Sequence, residues 1–221
     1  MSRTFDLDDP VDRAQGIEAA ARAVRAGDLV VLPTDTVYGL GADAFDADAI
    51  GRLLVAKGRG RDMPVPVLVS GPRALDGIAF GLTHTARDLV QAFWPGALTL
   101  VCTAQPSLTW DLGRTNGTVA VRMPLHPAAL ELLAETGPMG VSSANKTGHA
   151  PAPTIADAVD QLGGLVSVYL DGGPSGGSVP STIIDVTGAV PNVVRLGALS
   201  LDQLREVVPE IVVPETTAAE R

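Results

Sequence analysis

Residues 29–41 read LVVLPTDTVYGLG, and the way this stretch is divided decides how the chain folds. Leu29 to Leu32 is an apolar run suited to a buried strand. Pro33 breaks it, and Thr34, Asp35 and Thr36 follow before the glycines Gly39 and Gly41. A strand that ends in hydroxyls and a carboxylate and then turns to glycine has the layout expected where an α/β sheet meets a ligand. Small polar groups project from the strand end, and absent side chains let a ligand approach the backbone. A strand followed by an ordinary turn accounts for the segment equally well, so the flanking chain has to decide.

Outward from this stretch, helices and strands alternate. Gln15 to Ala26 carries the apolar stripe Ile17, Ala20, Ala21, Val24 and stops at Gly27, as a helix does. Asp46 or Asp48 caps a second helix, with Ile50, Leu53 and Leu54 inward and Gly58 at its exit. Pro64 to Ser70 reads as a short strand whose prolines favour a sheet edge or a strand start. Thr85 with Asp88 suggests a capping box for a helix ending at Phe93, and 97–103 and 118–123 read as strands able to pair antiparallel. Pro127 starts a helix that Gly137 ends, 139–142 is a strand, and Thr154 with Asp157 caps the next helix. Residues 166–170 form a strand before the glycine-rich DGGPSGGSVP. Strands 181–186 and 193–196 pair about a turn, and Ser200 caps a last helix. The pattern predicts one α/β domain with a mixed, twisted sheet over residues 15–208. Residues 1–14 are expected to be an N-terminal lead, and 209–221 a flexible tail.

The chain of 221 residues is large enough to bury one core, and 46% apolar with 19% charged residues is ordinary globular composition. No apolar run reaches membrane-spanning length and the N-terminus has no apolar signal core, so a cytoplasmic location is expected. The single cysteine, Cys102, lies in LTLVCTA and reads as a buried thiol. A formal charge of −9 disfavours a large nucleic-acid footprint. Even so, Arg52, Lys57, Arg59 and Arg61 crowd into one short segment, which suggests a small anionic ligand. A positively charged helix end accounts for only part of that cluster.

The phosphate-binding loop GxxxxGK[ST], the dinucleotide fingerprint GxGxxG and the nucleophile elbow GxSxG are all absent. His84, His126 and His149 lie far apart and outside any zinc-ligand spacing. His126 reads as a helix-start residue, and His149 lies nearest a polar motif. What remains is a set of polar groups at element ends: Thr34 to Thr36, Lys57 with Arg59, Thr118 with Arg122, Ser142 to Asn145, Ser181 with Thr182, and Arg195. Cations and hydroxyls without a nucleophile–base pair suit chemistry that works by positioning and charge stabilisation, notably nucleotidyl or phosphoryl transfer from ATP.

The same residues carry a resemblance. PTDTVYGLG, KGR followed by Pro64, FWPGALTLV, TVAVRMP, SSANKTG, STIIDV and VVRLG, in this order, resemble the YrdC-type family of L-threonylcarbamoyladenylate synthases. The likeness spans roughly residues 15 to 205, in the single-domain form. It implies one α/β domain around a concave, positively charged cleft. It also implies an enzyme that joins L-threonine, bicarbonate and ATP, with Mg²⁺ expected, into threonylcarbamoyl-AMP and pyrophosphate. A downstream transferase complex then passes the group to tRNA. By motif, Thr34, Thr36, Arg122, Ser143 and Ser181 fall to threonine. Lys57, Arg59, Arg61, Thr118, Asn145 and Arg195 fall to ATP, with Lys57 and Arg59 as the catalytic cations. Two positions depart from the family pattern: Asp35 stands where Glu is common, and Gly60 follows Arg59 where proline is common. An RNA-binding or ribosome-assembly factor, with tRNA contact, is the alternative of another class, and the charge opposes it. A carbamoyl-transfer maturation enzyme is another alternative, one that requires segments and cysteines this chain lacks.

Overall fold

The computed structural model describes residues 2–177 and 179–214; of the tail 209–221 expected to be flexible, 215–221 lie outside them, whereas Ile211 is buried and Val212 bridges to Asn192. One ten-stranded sheet organises the chain. Its strands are β1 (Arg3–Asp6), β2 (Val30–Leu32), β3 (Gly39–Asp43), β4 (Val67–Leu68), β5 (Leu98–Thr103), β6 (Thr118–Arg122), β7 (Met139–Ser143), β8 (Val168–Asp171), β9 (Thr182–Asp185) and β10 (Asn192–Arg195). They lie in the order β1-β8-β2-β3-β7-β4-β6-β5-β9-β10. Parallel pairs (β1/β8, β2/β8, β4/β6, β5/β9) alternate with antiparallel ones (β2/β3, β3/β7, β4/β7, β5/β6, β9/β10), so the sheet is mixed as expected. Among the described residues the seven α-helices are α1 (Pro10–Arg25), α2 (Ala47–Ala56), α3 (Ala74–Ile78), α4 (His84–Phe93), α5 (Pro127–Thr136), α6 (Ile155–Leu162) and α7 (Leu201–Val207).

The opening stretch is a hairpin. β2 returns antiparallel as β3, and Pro33 to Tyr38 is the connecting loop. The two glycines are therefore strand residues, and Gly41 serves packing: a Cβ there would lie 2.7 Å from Met139 Cε. Gly39 is equally tight, 2.6 Å from Val141 Cγ1, which keeps β3 close to β7.

The expected lead at residues 1–14 is structured from Arg3 onward. β1 pairs with β8 at the sheet edge, and α1 already begins at Pro10, where the Asp9 carboxylate accepts from the amides of Val11 and Asp12. Pro at the first helical turn costs no hydrogen bond, so the apolar stripe from Ile17 marks only the middle of the helix. β4 lies between β6 and β7 rather than at an edge. Only Val67 and Leu68 pair there, so Pro64 and Pro66 interrupt no ladder. Thr83, not Thr85, caps α4, accepting from Ala86 N–H. Asp46 caps α2, Ser200 and Gln203 form a capping box on α7, and the β5/β6 and β9/β10 pairs run antiparallel.

Strand alternation divides the core. Val31, Leu40, Val67, Leu98, Leu100, Cys102, Val119, Val121, Ile184 and Val193 face one side, packed with Leu53, Leu89 and Leu204 from α2, α4 and α7. On the other side α1 and α5 cover Val30, Leu32, Val168, Leu170 and Met139. That second cover stops near β7, and the face of β6, β5, β9 and β10 beyond it is left open.

Candidate functional site

A cleft of about 460 Å³ lies on that open face. Its floor is set by the period of two. Thr99 and Val101 come from β5, Ala120 and Arg122 from β6, Val141 and Ser143 from β7, and Ile183 and Val194 from β9 and β10. Thr34, Thr36 and Tyr38 from the hairpin loop wall one end, with Arg59, Ser142, Ser181 and Arg195 also at the surface of the cleft. The predicted site residues Thr34, Thr36, Arg59, Arg122, Ser143, Ser181 and Arg195 therefore meet at one place.

Each arginine is held differently. Arg122 is 6% exposed; its Nε donates to Gly96 O at 2.9 Å, Nη1 to Thr36 Oγ1 at 3.0 Å and Nη2 to Asp35 Oδ1 at 2.6 Å. Arg195 donates from Nη2 to Ser181 O at 2.7 Å, while Arg59 donates from Nη1 to Ser142 Oγ at 3.2 Å. Burial lowers the pKa of all three, and Arg122 further depresses that of Arg195 through like-charge repulsion; neighbouring Asp35 partly restores Arg122. Guanidinium remains ionised under such shifts. The Nε of Arg59 is buried without a partner. The cleft thus concentrates positive charge within an acidic protein, and an anion that accepts from these groups would offset the desolvation and the mutual repulsion.

The hydroxyls are ordered from behind. Thr34 Oγ1 lies 3.1 Å from Thr36 Oγ1 and donates to Val37 O, and Ser181 Oγ lies 2.8 Å from the buried Thr99 Oγ1. Thr99 was not singled out from the sequence; its signal is the polar residue facing the open side within LTLVCT, whose Leu98, Leu100 and Cys102 face the core. Tyr38 OH donates to Gly173 O at 2.5 Å and accepts from Gly172 N–H, tying the glycine-rich loop to the hairpin; burial pushes its pKa up to about 12.

Other predicted residues lie elsewhere. Lys57 is 3% exposed, and its Nζ donates to the carbonyls of Ser143 at 2.5 Å and Asn145 at 2.7 Å, so it supports the SSAN segment from beneath and does not line the cleft. Burial, then Arg59, lowers its pKa to about 8. Asn145 is also buried beneath the floor: Nδ2 donates to the carbonyls of Lys146 and His149 while Oδ1 has no partner. Arg61 pairs with Asp111, Arg52 donates to Gly27 O, and Thr118 donates to Thr115 O at the far end of β6; none of the three lines the cleft. The basic cluster of 52–61 is therefore dispersed, and Arg59 alone of its members reaches the cleft, because the residues flank a helix exit and diverge there.

His126 lies at the N-cap of α5 beside a smaller cavity of about 220 Å³. Burial, then Arg13, lowers its pKa against the pull of Asp35. His149 is exposed. Among the described residues no group of three or more His, Cys, Asp or Glu could hold a metal ion, and no helix is long and apolar enough to cross a membrane.

A cleft of this size on an open sheet face of an α/β protein, lined by arginines and hydroxyls, suits an anionic small molecule. A family model named for Sua5, YciO and YrdC, described as "Telomere recombination", matches residues 22–197, and the chain belongs to that family. It is 56% identical over 207 residues to a putative threonylcarbamoyl-AMP synthase of Mycobacterium tuberculosis, covering 94% of this chain and 95% of the relative. With the threonylcarbamoyl-AMP synthase of Bacillus subtilis it shares 38% identity over 198 residues, covering 88% of this chain and 57% of the longer relative. The structure of P. abyssi Sua5 complexed with L-threonine superposes with a TM-score of 0.90 at 33% identity; the match covers 97% of this chain and 62% of that one.

Proposed function

We propose that this protein is an L-threonylcarbamoyl-AMP synthase, an ATP-dependent enzyme that joins L-threonine, bicarbonate and ATP into threonylcarbamoyl-AMP and pyrophosphate for tRNA modification. The observation that carries the reading is the convergence of three arginines with Thr34, Thr36, Ser143 and Ser181 on one open sheet face, in a chain that matches 95% of a relative named "Putative threonylcarbamoyl-AMP synthase".

The threonine carboxylate lies against Arg122, whose guanidinium has two of its five N–H groups outside the contacts to Gly96, Thr36 and Asp35. Ser143 and Ser181 receive its hydroxyl. The amine, left free, bonds to the carbon of carbon dioxide with loss of a proton, or to that of bicarbonate with loss of water. An oxygen of the resulting carbamate attacks the α-phosphorus of ATP, and the bond to the bridging oxygen breaks as pyrophosphate leaves. Arg59 and Arg195 offset the charge on the phosphates. Lys57 and Asn145 serve from beneath by fixing the Ser143 segment. Thr118 and Arg61 meet the distal parts of ATP only if the nucleotide extends past the cleft mouth. Among the described residues no group of three or more His, Cys, Asp or Glu could hold Mg²⁺, so such an ion would be held mainly by the phosphates of ATP. The activated product goes to a transferase acting on tRNA, with tRNA contact by this chain weak and its location cytoplasmic.

Pyrophosphate release tests the reading. It is expected to require ATP, L-threonine and bicarbonate together; release that continues without threonine would refute it.

A further inference from the structure

We propose that Asp35 is a positioning residue that fixes the orientation of Arg122 and thereby sets the affinity for the threonine carboxylate. This inference deepens the function proposed above and rests on it. The family resemblance assigns Asp35 no role and marks only that Glu is common at this position.

The geometry gives it one. Asp35 Oδ1 accepts from Arg122 Nη2 at 2.6 Å and from the backbone N–H of Leu125 at 2.8 Å. One oxygen therefore joins the hairpin loop to both the last residue of β6 and the chain that leads into α5. With Gly96 O on Nε and Thr36 Oγ1 on Nη1, the guanidinium is held by an acceptor at each of its three nitrogens. A planar group held at three points has little rotational freedom, and its remaining N–H groups present a fixed pattern to an incoming carboxylate.

Charge makes the anchor necessary. Arg122 and Arg195 line the same cleft, and the like charge of Arg122 lowers the pKa of Arg195 beyond the effect of burial. Among the described residues, Asp35 is the one carboxylate paired with an arginine of the cleft, and the pair is largely shielded from water, with side-chain exposures of 8% for Arg122 and 14% for Asp35. Removing it leaves a buried cation held by neutral acceptors and pushed by its neighbour.

The test compares Asp35→Ala and Asp35→Asn with the wild type, reading KM for threonine, KM for ATP and kcat, and separately the binding of L-threonine alone by calorimetry. Asp35→Ala is expected to weaken threonine, in binding and in KM, by about tenfold or more, the loss of one charge-assisted bond, with KM for ATP little changed. Asp35→Asn, which keeps an oxygen for both N–H donors but not the charge, is expected to recover only part of that loss. Unchanged threonine affinity in Asp35→Ala would overturn the proposal. So would an equal rise of both KM values with a fall in kcat in both variants, the mark of a merely structural residue. A wild type that binds threonine yet makes no adenylate would refute the proposed function while the binding comparison still judged Asp35. One that neither binds nor consumes threonine would refute both.

Discussion

Lys57→Met is the most informative single change, because it replaces an ammonium with an apolar side chain of similar length. The wild-type Nζ makes two charge-assisted bonds to carbonyls, at 2.5 and 2.7 Å. Each contributes about 1.5–3 kcal/mol. Against them stands the burial that lowers the Lys57 pKa from 10.5 to about 8, a cost of roughly 3 kcal/mol to the charged form. Two such bonds, about 3–6 kcal/mol, less that cost put the loss in Lys57→Met at up to about 3 kcal/mol, or a fall in Tm of up to roughly 12 °C at this chain length. The functional effect is larger than the structural one. Ser143 and Asn145 lose their support, and a misplacement of about 1 Å at a reacting centre costs on the order of 100-fold in rate. Thermal denaturation and threonine-dependent pyrophosphate release measure the two effects. A variant with wild-type Tm and release within a few-fold of wild type would show that Lys57 supports nothing in the site.

The same lysine predicts a pH dependence. Between about pH 8 and 10.5 the unfolded chain holds the Lys57 proton more tightly than the folded one, so this group's contribution to stability rises with pH across that window. Urea denaturation at both ends should show Lys57→Met losing more, relative to wild type, at the alkaline end. Gly197→Ala should lower stability by about 1–3 kcal/mol and raise KM for threonine, because its Cβ would meet Pro180 O and lie 2.6 Å from Ser181 C, backbone that holds the site serine. Chemical denaturation and steady-state kinetics read both effects. Thr99→Val removes the partner of Ser181 Oγ at nearly constant volume, and a cost of about 1 kcal/mol in threonine binding is expected by calorimetry.

How much of this was legible depends on whether the signal was local. Asp46, Ser200 and Pro127 mark helix starts through the amides they satisfy or leave unneeded, and these were readable. The β5/β6 and β9/β10 pairings followed from strand runs that lie near one another in sequence. β3 was not readable, since Gly39 and Gly41 are poor strand formers and are required only by the approach of Val141 and Met139 from β7, far along the chain. β1 is likewise a strand because β8 accepts it, and nothing in its own residues reports that. In the site, the residue types were legible but their partners were not. Lys57 and Arg61 read as free cations, whereas carbonyls on the SSAN segment and the carboxylate of Asp111 occupy them.

The central claim is that one cleft brings an amino acid, a carbon dioxide source and the α-phosphate of ATP together. Mass analysis of the product formed from L-threonine, ATP and heavy-carbon bicarbonate tests it most directly. The account predicts a threonylcarbamoyl adenylate that carries the heavy carbon and forms only when all three are supplied. An adenylate of threonine without that carbon, or ATP left intact beside all its proposed partners, would contradict it.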